Sequence, residues 1–169
     1  MRGIIVEGID CAGKSTLIKR IKQKYKAHGG FDVKELDHVE CESQYERYLH
    51  EYATQNDVIL HRSHISEAVF TEFFHRPCSF TGDELTVLDG IVNNDYLVIY
   101  ASVERALFEE RMDATKDNQV IGKGDYEAIV SLFDDKMKHI RHSSYCSNTM
   151  ESLDRFSSTV VASYLDLSR

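Results

Sequence analysis

The sequence has little of what marks linkers, disulfide frameworks and metal-binding modules. Of its 169 residues only Pro77 is a proline, none is a tryptophan, and no repeat or low-complexity stretch interrupts the chain. Its four cysteines are widely spaced and form no C-x-x-C pair, which argues against a zinc site and against a disulfide framework. We therefore expect one domain spanning residues 1–169.

The chain also lacks an excess of positive charge and any long apolar run. A formal net charge of −8 argues against binding to a nucleic-acid polymer, although a local cationic cleft can still hold small anions. No apolar run approaches the length of a membrane span, and residues 1–3 show no signal-peptide features. These absences predict a cytoplasmic protein that does not associate with a membrane.

One segment carries most of the functional information. Residues 8–15 match the phosphate-loop pattern G-x-x-x-x-G-K-[ST], between an apolar run at residues 4–6 and a helical pattern at residues 16–21. The two glycines let successive backbone N–H groups point inward, and the helix N-terminus adds its positive dipole end. Lys14 would bridge the terminal phosphates of ATP, and the Ser15 hydroxyl would ligate Mg²⁺. The residues predicted to bind ATP are Gly8, Asp10, Cys11, Ala12, Gly13, Lys14, Ser15 and Thr16.

The rest of the chain alternates short apolar runs with helical patterns, which predicts an α/β fold with a parallel sheet and helices on both faces. The predicted strands are 3–7, 31–36, 57–61, 96–100 and 144–147. The predicted helices are 14–27, 43–55, 65–75, 82–93, 103–113, 125–142 and 149–166, with Ser43 and Ser102 as N-caps of the second and the fifth. Because ligands of open α/β sheets bind at the carboxyl ends of the strands, we expect the chemistry at that edge.

Two motifs resemble those of the thymidylate kinases. Residues 6–16 are similar to that family's loop F-E-G-x-D-x-A-G-K-S/T, and residues 61–70 are similar to its D-R-Y-x-x-S-x-x-A-Y/F segment, with the spacing of Arg62, Ser66 and Phe70 kept. Residues 103–111 resemble the helix that leads into the family's lid, and residues 148–153 resemble the stretch before its last helix. The resemblance implies a three-layer P-loop kinase fold with five parallel strands, a short lid at about 112–124, and a homodimer.

The resemblance also implies a reaction. ATP would donate its γ-phosphoryl group, with Mg²⁺ as cofactor, to a deoxynucleoside monophosphate such as dTMP or a related pyrimidine nucleotide. Arg62 would hold the acceptor phosphate, because a guanidinium fork binds two oxygens at once. Asp10 would accept a hydrogen bond from the 3′-hydroxyl, Phe70 would stack on the base, and Arg47 would lie near base and phosphate. The full set implied at the acceptor is Glu7, Asp10, Arg47, His61, Arg62, Ser66 and Phe70.

Two positions depart from the family pattern or choose between its variants. His61 replaces an aspartate that helps organise Mg²⁺, and an imidazole is a poor ligand for that ion. The metal would then depend on Ser15 and the phosphates, with Glu7 as a further candidate through water. His61 would instead form a hydrogen bond with the acceptor phosphate; the other alternative is that the chain has lost activity. Cys11 stands where some members carry an arginine, so the catalytic cation would come from the lid. Its candidates are Arg111, Lys116 and Lys123, and the predicted catalytic set is Lys14, Arg62 and Arg111.

Two other functions stay open at this stage. Glu7 and the segment His61-Arg62-Ser63 are also similar to the deoxynucleoside kinases, in which such a glutamate takes the proton of a sugar hydroxyl; Glu7 can equally accept a structural hydrogen bond. A regulator that binds ATP without turnover is the other alternative. Nothing in the sequence identifies a side chain that reads the acceptor base.

Overall fold

The computed structural model describes residues 1–54, 56–114, 121–147 and 149–168. Five strands form one sheet, namely β1 Gly3–Glu7, β2 Asp32–Glu35, β3 Val58–His61, β4 Tyr96–Ser102 and β5 His142–Cys146. The α-helices are α1 Lys14–Tyr25, α2 Gln44–Thr54, α3 His64–Phe73, α4 Gly82–Asp95, α5 Arg105–Ala114, α6 Tyr126–Met137 and α7 Met150–Leu167. Short 3-10 turns cover Lys26–His28 and Lys123–Asp125.

The sheet is parallel throughout, in the order β2-β3-β1-β4-β5. β1 lies in the centre, where Ile5 pairs with Leu60 of β3 on one side and with Val98 of β4 on the other. All five residues of β1 are buried, and since successive side chains of a strand point to opposite faces, both faces of the sheet are covered. The predicted α/β class, with five parallel strands and helices on both faces, is confirmed.

Local signals place several helix ends. The Ser43 hydroxyl accepts a hydrogen bond from the Glu46 N–H at 3.2 Å, so the predicted cap of α2 is present. Thr81 and Glu84 form a capping box at the start of α4. The 3-10 turn that follows α1 ends at a pair of glycines with positive φ, Gly29 at 113° and Gly30 at 82°.

Several predicted boundaries differ from the observed ones by one or two residues, and strand pairing explains the misplaced ends at Ser102 and Met137. Ser102 does not cap a helix, because it is the last residue of β4 and α5 begins only at Arg105. The helix predicted for 125–142 ends at Met137, because β5 starts at His142 and pairs with β4 from Val98 onward. Of the predicted lid, residues 112–114 belong to α5, and residues 115–120, which include Lys116, lie outside the described residues. In the described part of the chain no helix is long and apolar enough to cross a membrane.

Candidate active site

The phosphate loop joins β1 to α1 at the carboxyl edge of the sheet. Gly8 has a φ of 130°, and a Cβ there would lie 2.0 Å from the backbone oxygen of Ala101, so only glycine fits this position. Gly13 has a φ of 81° and directly precedes the first residue of α1, Lys14. The loop therefore presents the N-terminus of α1, with its unpaired N–H groups, toward the space above the sheet.

The Lys14 side chain lies across this loop. Its amine donates hydrogen bonds of 2.8 Å to the carbonyl oxygens of Gly8 and Ile9, and it lies 3.8 Å from the Asp10 carboxylate. The side chain is only 5% exposed. Burial, helped by the nearby Arg62 charge, lowers the pKa of Lys14 from its ordinary 10.5 to about 8, against the opposing effect of Asp10. The amine is thus held where it can neutralise phosphate charge.

A cavity of about 690 Å³ lies over the loop. The residues that line it include Cys11, Ser15 and Thr16 of the loop, and Tyr145 and Leu153 on the far side. Of the other residues predicted to bind ATP, Asp10, Gly13 and Lys14 also line the cavity. Gly8 and Ala12 are buried and are not among its lining residues. The volume and the loop at its base suit a nucleoside triphosphate.

Arg111, in the last turn of α5, reaches the same cavity. Its guanidinium donates hydrogen bonds to the Cys11 carbonyl at 2.7 Å and to the Ser147 hydroxyl at 2.9 Å. The structure thus brings Arg111 to the phosphate loop. Lys123 pairs instead with Asp113 at 2.6 Å and is not among the residues that line the cavity.

A second, smaller cavity of about 170 Å³ adjoins the first, and Asp10 and Arg62 line both. Arg62 has a φ of 73°, which is strained for a residue with a side chain, and its guanidinium forms an ion pair with Asp10. The same guanidinium lies 5.1 Å from the centre of the Phe70 ring. Phe70 and Ser66, both on α3, line this cavity as well. Four residues predicted at the acceptor are therefore together.

Glu7 lies elsewhere, beneath α3. Its side chain is fully buried, and Oε1 accepts hydrogen bonds from the Ser63 hydroxyl at 2.5 Å and from the Ser66 N–H at 3.4 Å. Oε2 accepts from the Ser66 hydroxyl. Glu7 lines neither cavity, so this geometry favours the structural hydrogen-bonding role over that of a general base.

His61 ends β3 at the wall of the larger cavity. Its Nδ1 lies 3.0 Å from the Glu35 carboxylate, which fixes Nδ1 as the protonated nitrogen. Burial, together with the positive charges of Lys14 and Arg62, lowers the pKa of His61 to about 4, so the ring is neutral at pH 7. Its Nε2 is buried and has no hydrogen-bond partner in the described part of the chain. A pH-dependent charge on His61 is therefore not expected near neutrality in the free protein.

Arg47, predicted near the acceptor, is not among the residues that line the smaller cavity. Its guanidinium donates to the Asp37 carbonyl at 2.7 Å and to the Gln44 side chain at 3.1 Å, and it lies 5.1 Å from the Tyr48 ring centre. Asp37, which follows β2, does line the smaller cavity. Arg47 therefore holds that segment by a hydrogen bond and is not itself among the lining residues.

His38, Glu67 and Arg76 also line the smaller cavity, and none of them was predicted from the sequence. Glu67 was detectable in principle, because it lies three residues before Phe70 on the face of α3 that carries Phe70. His38 and Arg76 follow β2 and α3 in irregular segments, where no periodicity indicates direction.

The donor set for a magnesium ion is small. In the described ranges no group of three or more His, Cys, Asp or Glu side chains can hold a metal ion. The Ser15 hydroxyl is exposed and lines the larger cavity. One hydroxyl, with phosphate oxygens and water as the other ligands, fits the way Mg²⁺ is bound beside nucleotides.

The comparisons with known proteins bear on the fold. No protein-family model matches the chain, and no curated protein matches it. Among solved structures, the YorR protein from Bacillus subtilis in complex with phosphorylated GDP superposes with a TM-score of 0.80 at 18% identity, covering 99% of this chain and 98% of that one. Shikimate kinase from Acinetobacter baumannii in complex with shikimate gives 0.60 at 12% identity, covering 98% and 94%. A gluconokinase from Sinorhizobium meliloti 1021 gives 0.51 at 11% identity, covering 99% and 98%.

These likenesses show the fold. This chain has the P-loop kinase fold that its structural neighbours share. Identities this low carry no substrate from neighbour to chain, and the similarity to thymidylate kinases stays a prediction.

Proposed function

We propose that this protein is a phosphotransferase that moves the γ-phosphoryl group of ATP to a deoxynucleoside monophosphate, with dTMP or a related pyrimidine nucleotide as the class that the motifs favour. The observation that carries the proposal is the pair of adjoining cavities that share Arg62 and Asp10. One has a phosphate loop at its base, and the other has a guanidinium beside an aromatic ring. Phosphoryl transfer needs donor and acceptor phosphates side by side among positive charges.

Each charged residue then has a task that its position supports. Lys14 and the N–H groups at the start of α1 hold the donor phosphates, and Arg62 holds the acceptor phosphate between the two cavities. Arg111 adds positive charge at the loop from the side of α5. Ser15 would hold Mg²⁺, which when bound offsets the negative charge of the phosphates.

The nucleoside kinase alternative is less well supported. A nucleoside acceptor has a hydroxyl that must lose its proton, whereas a monophosphate is already ionised. Glu7, the glutamate that the motif offers as a base, is buried with both oxygens bonded to serines and lies outside both cavities. The shikimate kinase and the gluconokinase are named as kinases, and YorR was solved with a nucleotide bound. These likenesses support phosphoryl transfer in general and do not name an acceptor for this chain.

The test is a product assay with ATP and, in separate reactions, each deoxynucleoside monophosphate and each deoxynucleoside. A nucleoside diphosphate is the expected product. Production of a monophosphate from a nucleoside, or ATP binding with no transfer to any acceptor, would contradict the proposal.

The role of Arg62 is tested by Arg62→Ala. Losing a charge-assisted bidentate contact should raise the KM for the acceptor by roughly 100-fold and leave the KM for ATP within about threefold. Arg155→Ala is the matched control, because Arg155 is 79% exposed on α7 and pairs with Glu151 in the same helix. Equal effects of Arg62→Ala on both KM values would refute its assignment to the acceptor.

A further inference from the structure

Arg62 lies in the short connection between β3 and α3. The strand ends at His61 and the helix begins at His64, so Arg62 and Ser63 alone join them. With a φ of 73°, Arg62 occupies the left-handed region, which a residue with a Cβ adopts only where its surroundings force it. The direction of the Arg62 side chain therefore depends on the contacts that hold the backbone of residues 62 and 63.

The end of β1 supplies these contacts at two consecutive residues. The Arg62 N–H donates a hydrogen bond to the Val6 carbonyl at 3.1 Å, and the Ser63 hydroxyl donates to the Glu7 carboxylate at 2.5 Å. The Ser63 hydroxyl also accepts from the Ile65 N–H at 3.2 Å and so caps α3. One hydroxyl thus links Glu7 to the first turn of α3, directly after Arg62.

Glu7 binds the same turn a second time, through Ser66. Its carboxylate accepts hydrogen bonds from the Ser66 N–H at 3.4 Å and from the Ser66 hydroxyl. Glu7 and Ser63 are 0% exposed and Ser66 is 3% exposed, so bulk water does not compete for these bonds. Because removing one partner would leave a buried polar group unpaired, the three bonds fix the first turn of α3 against β1.

The contacts of the Arg62 side chain itself all lie on the ligand side. Its guanidinium pairs with Asp10 and lies 5.1 Å from the centre of the Phe70 ring, and both of these residues line the smaller cavity. In the described part of the chain its buried Nε has no hydrogen-bond partner. The support that does not involve the cavity therefore comes from the backbone, and hence from the end of β1.

We propose that Glu7 is a positioning residue for phosphoryl transfer, which acts through Ser63 and Ser66 to hold Arg62 in the orientation that binds the acceptor phosphate. The inference rests on the proposed function, which places that phosphate at Arg62. Glu7 lines neither cavity, so its effect on the substrate is indirect. A guanidinium displaced by about 1 Å is enough to impair transfer, because the reacting groups must be held in close alignment.

The test is a double-mutant cycle between Glu7 and Arg62. The acceptor is dTMP, or whichever deoxynucleoside monophosphate gives the most diphosphate in the product assay. Glu7→Gln keeps the shape of the side chain, but its NH₂ group cannot accept a hydrogen bond and its charge is lost. We expect the KM for the acceptor to rise by about tenfold, and the KM for ATP to stay within about threefold of the wild-type value.

The second arm of the cycle distinguishes positioning from a purely structural role. In the Arg62→Ala background, Glu7→Gln should change kcat/KM for the acceptor by less than about twofold, because no guanidinium is left to position. Loss of structure alone would lower kcat/KM by the same factor in both backgrounds. Ser63→Ala should reproduce the pattern, since it removes the hydroxyl between Glu7 and Arg62, and it carries the test if Glu7→Gln does not fold.

Thr81→Ala is the control for stability. It opens the capping box at the start of α4, so it should lower the melting temperature and leave both KM values unchanged.

Two results would overturn the positioning role while the nucleotide kinase stands. One is an acceptor KM of Glu7→Gln equal to that of the wild type, or an effect that persists undiminished in Arg62→Ala. The other is a fall in kcat of about 100-fold with both KM values unchanged, which would assign Glu7 to proton transfer. If the wild type phosphorylates no nucleotide, the proposed function falls and this inference falls with it.

Discussion

Replacing Lys14 by methionine should change how stability depends on pH. In the wild type the pKa of Lys14 is lowered to about 8 by burial, whereas in the unfolded chain it has its ordinary value of 10.5. Between these two values the unfolded chain holds a proton that the folded protein has lost. Stability therefore rises with pH over this range in the wild type, and this contribution is missing from Lys14→Met.

The size of the effect follows from the shift. Each pH unit between the two pKa values contributes about 1.4 kcal/mol, less near the ends of the range. From about pH 7.5 to about pH 10, the free energy of unfolding of the wild type should rise by roughly 2 kcal/mol relative to Lys14→Met. The hydrogen bonds from the amine to Gly8 and Ile9 change the offset between the two proteins, but the pKa shift alone sets the slope.

The assay is urea unfolding followed by far-UV circular dichroism at a series of pH values. Ser15→Ala serves as the control, because it alters the same loop and retains the lysine, so it should keep the wild-type slope. Curves for the wild type and Lys14→Met that stay parallel from about pH 7.5 to about pH 10 would refute the reasoning.

Three further predictions concern Gly13 in the phosphate loop, His61 at the end of β3 and Arg47 on α2. Gly13→Ala places a Cβ 2.7 Å from the Ser147 hydroxyl at a φ of 81°, so thermal melts should show a loss of about 1–2 kcal/mol, and an unchanged melting temperature would contradict the geometry. Because the pKa of His61 is lowered to about 4, His61→Gln should leave the pH dependence of kcat/KM for ATP unchanged above about pH 5.5. If the wild type shows a pH-dependent fall of kcat/KM above that pH and the variant does not, the prediction is wrong. Arg47→Ala frees the Asp37 carbonyl, so the acceptor KM should rise by about three- to tenfold, less than for Arg62→Ala, and an equal rise would mean that Arg47 touches the acceptor.

Patterns confined to neighbouring residues were sufficient for the fold class. The apolar run before Gly8, the glycine pattern and the helical spacing after Lys14 are local, and the strand, loop and helix appear where they were expected. The cap at Ser43 is equally local, since donor and acceptor lie three residues apart. Such features depend on backbone sterics and short-range hydrogen bonds, which the order of residues largely determines.

Boundaries that depend on a distant partner were not predictable. The helix expected to run to residue 142 stops at Met137, because the following residues gain hydrogen bonds by pairing with β4, some forty residues earlier in the chain. Ser102 has the composition of a cap, yet β4 continues through it. In both cases tertiary pairing outweighed a local propensity worth only a fraction of a kcal/mol per residue.

The sequence by itself determined that a phosphate loop lies at the carboxyl ends of the strands of a parallel sheet. It also determined that Arg62 and Phe70 lie near that loop. Only the tertiary structure decided which charges face the ligands. It buried Glu7 against two serines, kept His61 neutral, turned Arg47 to the segment after β2, and brought Glu67 and Arg76 to the smaller cavity. The physical reason is that burial and partner distance set the charge and the direction of a side chain, and both arise from residues far away in the chain.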